Sequence, residues 1–489
     1  RKMAREHGRE GMRNTAGVAV TCALTGIEPE TITGMMSDAM PDKILDPNLN
    51  VFNQAYDYVH EEFDVDAPDV TVPEGEHDEE QVLLSGSDAI AYGAIDEGCR
   101  FIAGYPMTPW TEVFTIMSQA LPQVGGISEQ VEDEIAAAAL ALGASHMGTK
   151  AMSGSSGGGF ALMSEPLGLA EMTETPVVLI EAMRAGPSTG MPTKPEQADL
   201  EHVLYTSQGD SQRVVLAPGT VEEAYDHSRQ AFQLAYEYQI PTILLYDQKL
   251  GGELVSVPAS HFDRETNPAT GKMLTEAEIE DAPHDASGKF ERFRHDVDDG
   301  VSPRTVPGQK GGRHLVTGNE HNPPGHISED PDNRVAQMDR RAEKMSAIRA
   351  HLDAESLNYH YGPENAEYGI LTFGSQQGTV EEAVDRLNET GISVKSLTVG
   401  EMMPYPTDEV SAFLDSVDEA LVVEMNASAQ FRGLTQKELG AYGDRMASLL
   451  KYNGNPFEPA EVVEGFETSI DGDDQVSGNE TRFVPAAGD

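Results

Sequence analysis

The feature that most restricts the fold of this chain is a regular alternation of helical and short apolar segments between residues 81 and 247. Helices are predicted over residues 87–97, 133–146 and 220–238, and strands over 101–103, 176–181 and 241–246. Because consecutive parallel strands are joined by crossover helices, this order predicts an α/β fold whose parallel sheet carries helices on both faces. Ligands of such sheets bind outside the carboxyl ends of the strands, so residues that directly follow strands are the first candidates for a site.

A second, shorter alternation lies toward the C-terminus. Its predicted strands cover residues 368–374, 392–399 and 419–424, and its predicted helices cover 380–388 and 408–415. These elements predict a smaller α/β domain with a parallel sheet. The segment between the two alternations has few periodic stretches and many Pro, Gly, Asp and His residues. A connecting segment of this length usually contributes to function.

At 489 residues the chain exceeds the size of one ordinary domain. The predicted divisions are a C-terminal remnant of another domain (1–65), an acidic linker (66–81), the first α/β domain (82–250), an irregular connecting segment (251–345), the second α/β domain (346–470) and an acidic tail (471–489). The first of these has predicted helices over 17–25 and about 50–63 but too few strands to close a sheet. The chain starts at Arg1 rather than Met, which predicts a processed or incomplete N-terminus.

Acidic residues dominate the charge of the chain, with 83 Asp and Glu against 33 Lys and Arg and a net charge of −50. Such a surface is strongly hydrated and self-repelling, which predicts a halophilic protein of a cytoplasm where salt screens the charges. An acidic interaction protein or a disordered acidic chain is the alternative, and the regular apolar segments argue against disorder. Nucleic acid is not a predicted partner, because phosphate binding needs basic patches.

The chain has two cysteines, Cys22 and Cys99, which fits a reducing cytoplasm and excludes a disulfide scaffold. An iron–sulfur cluster held by this chain alone is also excluded, because such clusters take four thiolates. No apolar run of about 20 residues indicates a membrane span, and no apolar core near the N-terminus indicates a signal peptide. No metal ligands are predicted, and the histidines between residues 284 and 326 are interpreted as solvated loop residues.

Two polar side chains directly follow predicted strands. Thr108 lies between Pro106 and Pro109, which fix its backbone, so its hydroxyl can bind a substrate carboxylate at little entropic cost. An ordinary proline-rich turn is the alternative. Arg184 follows the strand at 176–181 and precedes a Gly-Pro turn, where its guanidinium can bind a carboxylate through two hydrogen bonds. A structural salt bridge to one of the many acidic residues is the alternative for Arg184.

Glu134 begins an alanine-rich helix that is apolar enough to be buried on nearly all sides. A carboxylate there lies at the favourable end of the helix dipole and is partly desolvated, which suits it to share a proton with a ring. Capping of the helix by Glu132, Asp133 and Glu134 is the alternative. The glycine run at 153–159 lacks the Gly-Lys-Ser/Thr ending of a P-loop, so its glycines are expected to admit a flat ligand or a neighbouring chain.

Four motifs together resemble the α subunit of 2-oxoacid:ferredoxin oxidoreductases, a family that covers pyruvate and 2-oxoglutarate enzymes. They are Gly-Tyr-Pro-Met-Thr-Pro (104–109), Glu-Asp-Glu (132–134), Ser-Gly-Gly-Gly-Phe-Ala-Leu-Met (156–163) and Arg-Ala-Gly-Pro-Ser-Thr-Gly-Met-Pro-Thr (184–193). The later Val-Val-Glu-Met-Asn (422–426) resembles the family's second domain, which is transketolase-C-terminal-like. The N-terminal segment is similar to the end of the family's γ domain, fused ahead of α as in several archaea. The resemblance therefore spans most of the chain.

The resemblance implies that the first α/β domain is a pyrimidine-binding domain for thiamine diphosphate. Glu134 would hydrogen-bond the aminopyrimidine ring, and Tyr105 and Pro106 would lie beside the cofactor. Thr108 and Arg184 would bind the carboxylate of the 2-oxo acid. The implied reaction is oxidative decarboxylation of 2-oxoglutarate or pyruvate to an acyl-CoA, with coenzyme A taking the acyl group and electrons passing through iron–sulfur clusters to ferredoxin.

The same resemblance implies a heterodimer, because the diphosphate and Mg²⁺ motif and the cysteine ligands of the clusters belong to a separate β subunit. Trp110 departs from the family, which often has a small residue there, and this bears on the shape of the substrate pocket. The γ portion also lacks its first strands. Two other functions stay open from the sequence: a non-catalytic subunit that docks an electron carrier, and another thiamine-dependent enzyme such as a transketolase-like transferase.

Overall fold

The computed structural model describes residues 2–7, 9–65, 70, 72, 79–264, 266–471, 481–484 and 486. The chain forms two compact units, Arg1–Glu80 and Gln81–Asp489. Most of the predicted acidic linker and of the predicted acidic tail lies outside the described residues. Within the described part of the chain, no helix is long and apolar enough to cross a membrane.

The first unit is helical. Its helices are α1 (Lys2–His7), α2 (Arg13–Thr25), α3 (Pro29–Ala39) and α4 (Asp42–Glu62), with a 3-10 turn at Glu10–Met12. Cys22 of α2, Met36 of α3 and Phe52 of α4 lie in its core. α2 stops at Gly26, as predicted: the Gly26 N–H still donates to Cys22 O, and a φ of 75° turns the chain out of the helix after it. The sequence predicts this helix from about residue 50, whereas α4 begins at Asp42. The prediction is too late because Pro47 lies inside the helix, and proline normally ends a helix.

The second unit contains three sheets within its described residues. Its strands are β1 (Gln81–Ser85), β2 (Phe101–Gly104), β3 (Ile127–Gln130), β4 (Ala151–Ser155), β5 (Val177–Met183), β6 (Val214–Leu216), β7 (Pro241–Asp247), β8 (Leu254–Pro258), β9 (Tyr359–Tyr361), β10 (Tyr368–Thr372), β11 (Val394–Thr398), β12 (Glu401–Met403), β13 (Glu419–Glu424), β14 (Met446–Lys451) and β15 (Thr481–Val484). The largest sheet has the order β12-β6-β7-β5-β4-β2-β3, with β12 antiparallel to β6 and the other pairs parallel.

The second large sheet has the order β15-β14-β13-β10-β11-β9. Its four central strands are parallel, and β15 and β9 join its edges in the antiparallel sense. β1 and β8 form a separate antiparallel pair. The α/β fold with parallel sheets that the sequence predicts is therefore confirmed, although the second sheet is larger than the three strands expected.

Helices cover both faces of the seven-stranded sheet. The helices of this unit are α5 (Gly86–Asp96), α6 (Thr111–Ala120), α7 (Glu134–His146), α8 (Gly158–Ala161), α9 (Ser164–Met172), α10 (Leu200–Tyr205), α11 (Val221–Tyr238), α12 (Gln248–Gly252), α13 (Glu276–Asp281), α14 (Pro331–Ala354), α15 (Gln377–Thr390), α16 (Thr407–Asp415), α17 (Gln430–Leu439) and α18 (Pro459–Asp471), with 3-10 turns at Leu121–Val124, Ala259–Phe262 and Gly374–Gln376. One core joins the sheet to α5, α6 and α11. A second core joins its other face to α7, α9 and α10 and extends into the six-stranded sheet.

β4 shows why some strands escape prediction from the sequence. It reads Ala-Met-Ser-Gly-Ser and is buried along its whole length, yet it lacks the β-branched and aromatic residues that mark most strands. Its small side chains make room for Trp110, because a Cβ at Gly154 would lie 2.6 Å from Trp110 Cε3. The polar and glycine-rich stretch that looks like a loop is therefore a central strand followed by a turn.

A buried ion cluster fastens the connecting segment to the body of the unit. Glu174, directly after α9, pairs with Arg340 and with Lys344 Nζ, the latter at 2.8 Å. Arg292 donates to Glu174 O at 3.0 Å. Although burial opposes its charge, the neighbouring Arg340 and Lys344 hold the pKa of Glu174 well below its usual range. A segment poor in apolar side chains is thus anchored by charged groups that compensate one another in the interior.

Candidate active site at the carboxyl ends of the parallel strands

The loops that carry the sequence motifs meet at one edge of the seven-stranded sheet. β3, β2, β4 and β5 are neighbours in this order, and each of them leads into one motif. The residues in question are Glu134 after β3, Thr108 after β2, the glycine turn 156–159 after β4 and Arg184 after β5. The carboxyl ends of parallel strands form the usual ligand-binding edge of such sheets, so these groups lie where a site is expected.

Glu134 is a buried carboxylate at the first position of α7, with 4% of its surface exposed. Its Oε1 accepts a hydrogen bond from Ser155 Oγ at 2.9 Å. Asp133 is the residue that caps α7, because its Oδ1 accepts from the Ala136 N–H at 2.7 Å. Asp133 therefore caps the helix, whereas the Glu134 side chain lies against the end of β4.

Gly159 makes the position of Glu134 possible. A Cβ at Gly159 would overlap both Glu134 Oε1 and Ser155 Oγ, so only glycine lets the carboxylate approach the backbone this closely. The group that Gly159 admits within this chain is therefore the Glu134 side chain.

Arg184 follows β5 and Thr108 follows β2, and the two residues meet across the end of β4, which lies between these strands. Arg184 is 7% exposed, and its Nη1 donates to the backbone carbonyl of Thr108 at 2.6 Å. No carboxylate of the described residues forms an ion pair with Arg184, and the structural salt bridge considered from the sequence is therefore not formed there. The contact leaves other guanidinium donors of Arg184 available beside the half-buried Thr108 side chain.

The remaining residues of the Tyr-Pro-Met-Thr-Pro motif differ in exposure. Tyr105 is half-buried and Pro106 is exposed, so both lie on the rim of this edge. Met107 Sδ lies 3.7 Å from Ser155 Oγ, and this contact ties the motif to β4. Trp110 is fully buried and stacks on Phe114, with 5.9 Å between ring centroids. Trp110 therefore packs in the core beside β4, two residues after Thr108.

The outer face of α7 is exposed, which the sequence did not predict. Ile135 and Leu140 have 51% and 42% of their surface accessible. Ile135 lines an apolar groove of about 460 Å³ that continues over Leu169 of α9 to Val316 of the connecting segment. The helix was expected to be buried on nearly all sides, and the structure corrects this because nothing in the described chain covers that face.

A buried polar network joins the second sheet to the loop after Arg184. Gln197 donates its backbone N–H to Met425 O at 2.6 Å and accepts from the Met425 N–H at 3.0 Å. Asn426 Nδ2 donates to Gln197 O at 3.2 Å and to Glu424 Oε2 at 2.6 Å. The Glu-Met-Asn part of the predicted Val-Val-Glu-Met-Asn motif thus positions the loop between β5 and α10.

Three polar residues of this edge were not predicted from the sequence: Ser155, Glu181 and Asp199. Glu181 lies in β5 and accepts from the Gly157 N–H at 2.5 Å. The sequence does mark Glu181, because it is the one charged residue in the otherwise apolar strand Val-Val-Leu-Ile-Glu-Ala-Met, and a buried charge is costly unless it has a role. Ser155 and Asp199 carry no comparable signal, since serine in a glycine run and aspartate before a helix are common in loops.

The donor set fits a flat ring with a protonatable nitrogen better than it fits a metal. Glu134 offers a desolvated carboxylate at a helix N-terminus, and Ser155 fixes its orientation. Thr108 and Arg184 offer a hydroxyl and a guanidinium for a carboxylate. Within the described part of the chain, no group of three or more His, Cys, Asp and Glu side chains could hold a metal ion.

Comparison with known proteins covers almost the whole chain. Residues 92–340 match the family model described as pyruvate flavodoxin/ferredoxin oxidoreductase, thiamine diphosphate-binding. Residues 366–462 match pyruvate:ferredoxin oxidoreductase core domain II, and residues 1–58 match pyruvate ferredoxin/flavodoxin oxidoreductase. The first match contains every site residue described above from Tyr105 to Asp199.

Similar full-length proteins carry related names. The α subunit of 2-oxoacid:ferredoxin oxidoreductase 2 from Aeropyrum pernix is 32% identical over 92% of this chain and 70% of its own length. The KorA subunit of 2-oxoglutarate synthase from Methanothermobacter thermautotrophicus is 33% identical over 78% of this chain and 97% of its own length. The solved 2-oxoglutarate:ferredoxin oxidoreductase from Magnetococcus marinus, with 2-oxoglutarate, coenzyme A and succinyl-CoA bound, is 30% identical with a TM-score of 0.85, covering 95% of this chain and 79% of that one. This chain belongs to the α-subunit family of the 2-oxoacid:ferredoxin oxidoreductases.

Proposed function

We propose that this chain is the catalytic α subunit of an enzyme that oxidatively decarboxylates a 2-oxo acid to an acyl-CoA with thiamine diphosphate and passes the electrons to ferredoxin. The observation that carries the proposal is the Glu134 carboxylate, buried at the start of α7, bonded to Ser155 and seated against Gly159. It lies inside the segment that matches a thiamine diphosphate-binding family model. When bound, thiamine diphosphate supplies the nucleophilic carbon that attacks the keto carbon of the substrate.

Each residue of the site has a separate task under this proposal. Glu134 shares a proton with a ring nitrogen of the aminopyrimidine, which a desolvated carboxylate at a helix N-terminus is suited to do. Tyr105 and Pro106 line the cofactor side of the same edge. Thr108 and Arg184 bind the substrate carboxylate, and the contact of Arg184 with Thr108 O holds the guanidinium ready before the substrate arrives.

Replacing Arg184 by Ala is expected to raise the KM for the 2-oxo acid about 10- to 100-fold, the usual effect of losing hydrogen bonds to a charged group. The kcat is expected to fall much less, because this carboxylate leaves as carbon dioxide and its contact with Arg184 is therefore not strengthened in the transition state. Steady-state kinetics of the assembled enzyme measures both constants. Arg386→Ala is the matched control, since Arg386 is exposed on α15 and pairs with Glu382. An unchanged KM for Arg184→Ala would remove Arg184 from this role.

The partner in this proposal is a β subunit that completes the site. The exposed apolar groove begins at Ile135, directly beside Glu134, and continues over Leu169 to Val316. An apolar surface of this kind on a chain with a net charge of −50 supports burial against another subunit. The β subunit is proposed to cover this face, to form the heterodimer and to carry the diphosphate-binding motif, the Mg²⁺ and the iron–sulfur clusters.

The substrate is proposed to be 2-oxoglutarate or pyruvate, with coenzyme A as the acyl acceptor. The relatives support both, since the family models carry pyruvate in their descriptions and KorA relatives carry 2-oxoglutarate. The test is to purify the chain with its β subunit at high salt and to assay coenzyme A-dependent oxidation of each acid with a one-electron acceptor. Activity without thiamine diphosphate would favour the docking-subunit alternative, and activity without a one-electron acceptor would favour the transferase.

The first unit is proposed to be the C-terminal part of a γ-type domain fused ahead of the α portion. Its match to a pyruvate ferredoxin/flavodoxin oxidoreductase model over residues 1–58 supports this, as does alignment of an α subunit over 92% of the chain. The domain limits 82–250 for the pyrimidine-binding domain and 346–470 for the second α/β domain belong to the same proposal. A cytoplasmic location is proposed with it.

Halophily is also proposed, and the thermal unfolding midpoint tests it. The chain has 83 acidic and 33 basic residues, so its acidic side chains repel one another. Because KCl screens this repulsion, the unfolding midpoint is expected to rise as the KCl concentration increases. The comparison is between about 0.1 M and above 1 M KCl, where the Debye length falls from about 10 Å to about 3 Å. A midpoint that is independent of KCl, or falls with it, would contradict a halophilic surface.

A further inference from the structure

Glu181 is a fully buried carboxyl group in the middle of the seven-stranded sheet. It lies in β5, between β4 and β7, and has no exposed surface. Its Oε1 accepts from the Gly157 N–H at 2.5 Å. Its Oε2 is also buried, and no N–H or O–H group of the described residues donates to it. A buried carboxylate oxygen without a donor is strongly unfavourable, so the state of this group needs an explanation.

Asp199, the residue before α10, lies at the same turn as Glu181: a Cβ at Gly157 would lie 3.7 Å from Asp199 Oδ2, and Gly157 is bonded to Glu181. Burial raises the pKa of Glu181 well above its usual range, and the negative charge of Asp199 raises it further. The hydrogen bond from the Gly157 N–H and the charge of Arg184 oppose this rise in pKa only in part. Burial also raises the pKa of Asp199, while the charge of His202 lowers it. Two carboxyl groups this close cannot both ionise in a desolvated place, and the more buried one retains the proton.

We propose that Glu181 is a positioning residue, kept as a neutral carboxylic acid whose Oε2–H donates to Asp199 while its Oε1 accepts from Gly157. Both oxygens of Glu181 are then satisfied, and the Asp199 carboxylate receives a donor. The proposal rests on the function proposed above, because the turn that Glu181 holds is the one that places Glu134.

The link to Glu134 runs through the glycine turn. Gly157 has a φ of 47° and is the N-cap of α8, so its conformation sets where α8 begins. Two residues later, Gly159 provides the surface against which the Glu134 carboxylate and Ser155 Oγ pack. A displaced Gly157 would therefore move Gly159 and loosen the contact that fixes Glu134.

The neutral state of Glu181 also sets the charge beside the proposed substrate carboxylate. The titratable groups that face the pair are Arg184 after β5, Glu196 and His202 around the start of α10, and Tyr246 of β7. With Glu181 neutral, Asp199 and Arg184 sum to zero charge. Ionised Glu181 would add a negative charge beside the guanidinium, which would weaken binding of an anionic substrate.

Infrared difference spectroscopy of the assembled enzyme tests the proton directly. Wild type minus Glu181→Gln is expected to show the carbonyl band of an un-ionised carboxylic acid at neutral pH, which shifts in D₂O. The band does not depend on turnover, so it separates this inference from the proposed function. Absence of the band at neutral pH would overturn the assignment of a neutral Glu181.

Kinetics tests the positioning role. Glu181→Leu removes the acceptor of the Gly157 N–H and is expected to lower kcat about tenfold, the effect of one lost hydrogen bond. Glu181→Gln keeps an acceptor for Gly157 and a donor for Asp199, and is expected to restore most of this loss. In wild type the KM for the 2-oxo acid should rise as pH increases through the raised pKa of Glu181, because the neutral form is lost there. In Glu181→Gln this rise should disappear.

Each kinetic outcome either supports or overturns the positioning role of Glu181. Recovery with Gln but not Leu, together with a flat KM profile for Gln, supports the proposal. A Gln variant as impaired as the Leu variant, or one that keeps the wild-type rise in KM, overturns it. If Glu181→Leu fails to fold, the KM profile of Glu181→Gln remains a sufficient test, because its shape and hydrogen bonds match the native side chain.

Discussion

Replacing Glu134 by Gln is expected to lower kcat about 1,000-fold, within the range that proton transfer by a positioned group contributes. The amide has the shape of the carboxylate and can still accept from Ser155 Oγ, so the native contact at 2.9 Å has a counterpart in the variant. It cannot share a proton with a ring nitrogen in the way that a carboxylate does. The loss should therefore fall on kcat, while folding and association with the β subunit stay intact.

Glu132→Gln provides the matched control. Glu132 lies two residues earlier and is exposed, so the same change of charge occurs outside the site. Its kcat should equal that of wild type. Size-exclusion chromatography and circular dichroism show whether both variants assemble and fold. A Glu134→Gln enzyme that turns over at the wild-type rate would exclude Glu134 as the proton-sharing group.

Adding one methyl group at Gly159 is the second change with a large expected effect. A Cβ there would overlap Glu134 Oε1 and Ser155 Oγ, so Gly159→Ala must push the carboxylate from its position. A shift of about 1 Å in a reacting group costs about 100-fold, and we expect kcat to fall by that order. The measurement is kcat at saturating thiamine diphosphate and substrate.

Gly158→Ala is the control for this change, because a Cβ at Gly158 meets no atom within 4 Å. Both glycines lie in α8, so their intrinsic helix propensity changes alike. Equal activity of the two variants would show that Gly159 does not determine where the Glu134 carboxylate lies.

The sequence predicts the fold class because the longest elements follow simple patterns. α11 begins one residue after the predicted start, with Thr220 accepting from the Glu223 N–H as its cap. β13 has the predicted bounds Glu419–Glu424. β4 and β6 were missed for physical reasons: β4 has mostly small residues and packs against Trp110, and β6 has three residues, too few for an alternation.

The positions of Thr108 and Arg184 at one edge of the sheet were predictable, because both follow predicted strands and the edge of a parallel sheet gathers such residues whatever their separation in sequence. Glu134 follows β3, which the sequence did not predict, and it was recognised instead as the start of a helix. The contacts among them were not predictable, because they depend on how closely backbones approach. Gly159 against Glu134 and Glu181 against Gly157 are contacts of this kind.

The exposed face of α7 shows the limit of periodicity as a guide to burial. Alanine and leucine on every side of a helix predict complete burial within one chain, yet Ile135 and Leu140 are about half exposed. The pattern is equally consistent with burial by a second subunit. Composition alone does not distinguish the two cases.

Calorimetric titration of thiamine diphosphate tests the central claim most directly. The claim is that this chain supplies the aminopyrimidine half of a cofactor site through Glu134, and that a β subunit supplies the rest. We expect binding in the presence of Mg²⁺ to the complex of the chain with its β subunit, much weaker binding to the complex with Glu134→Ala, which removes the contact altogether, and no measurable binding to either subunit alone. Equal affinity of the wild-type and Glu134→Ala complexes, or full affinity in the β subunit alone, would contradict it.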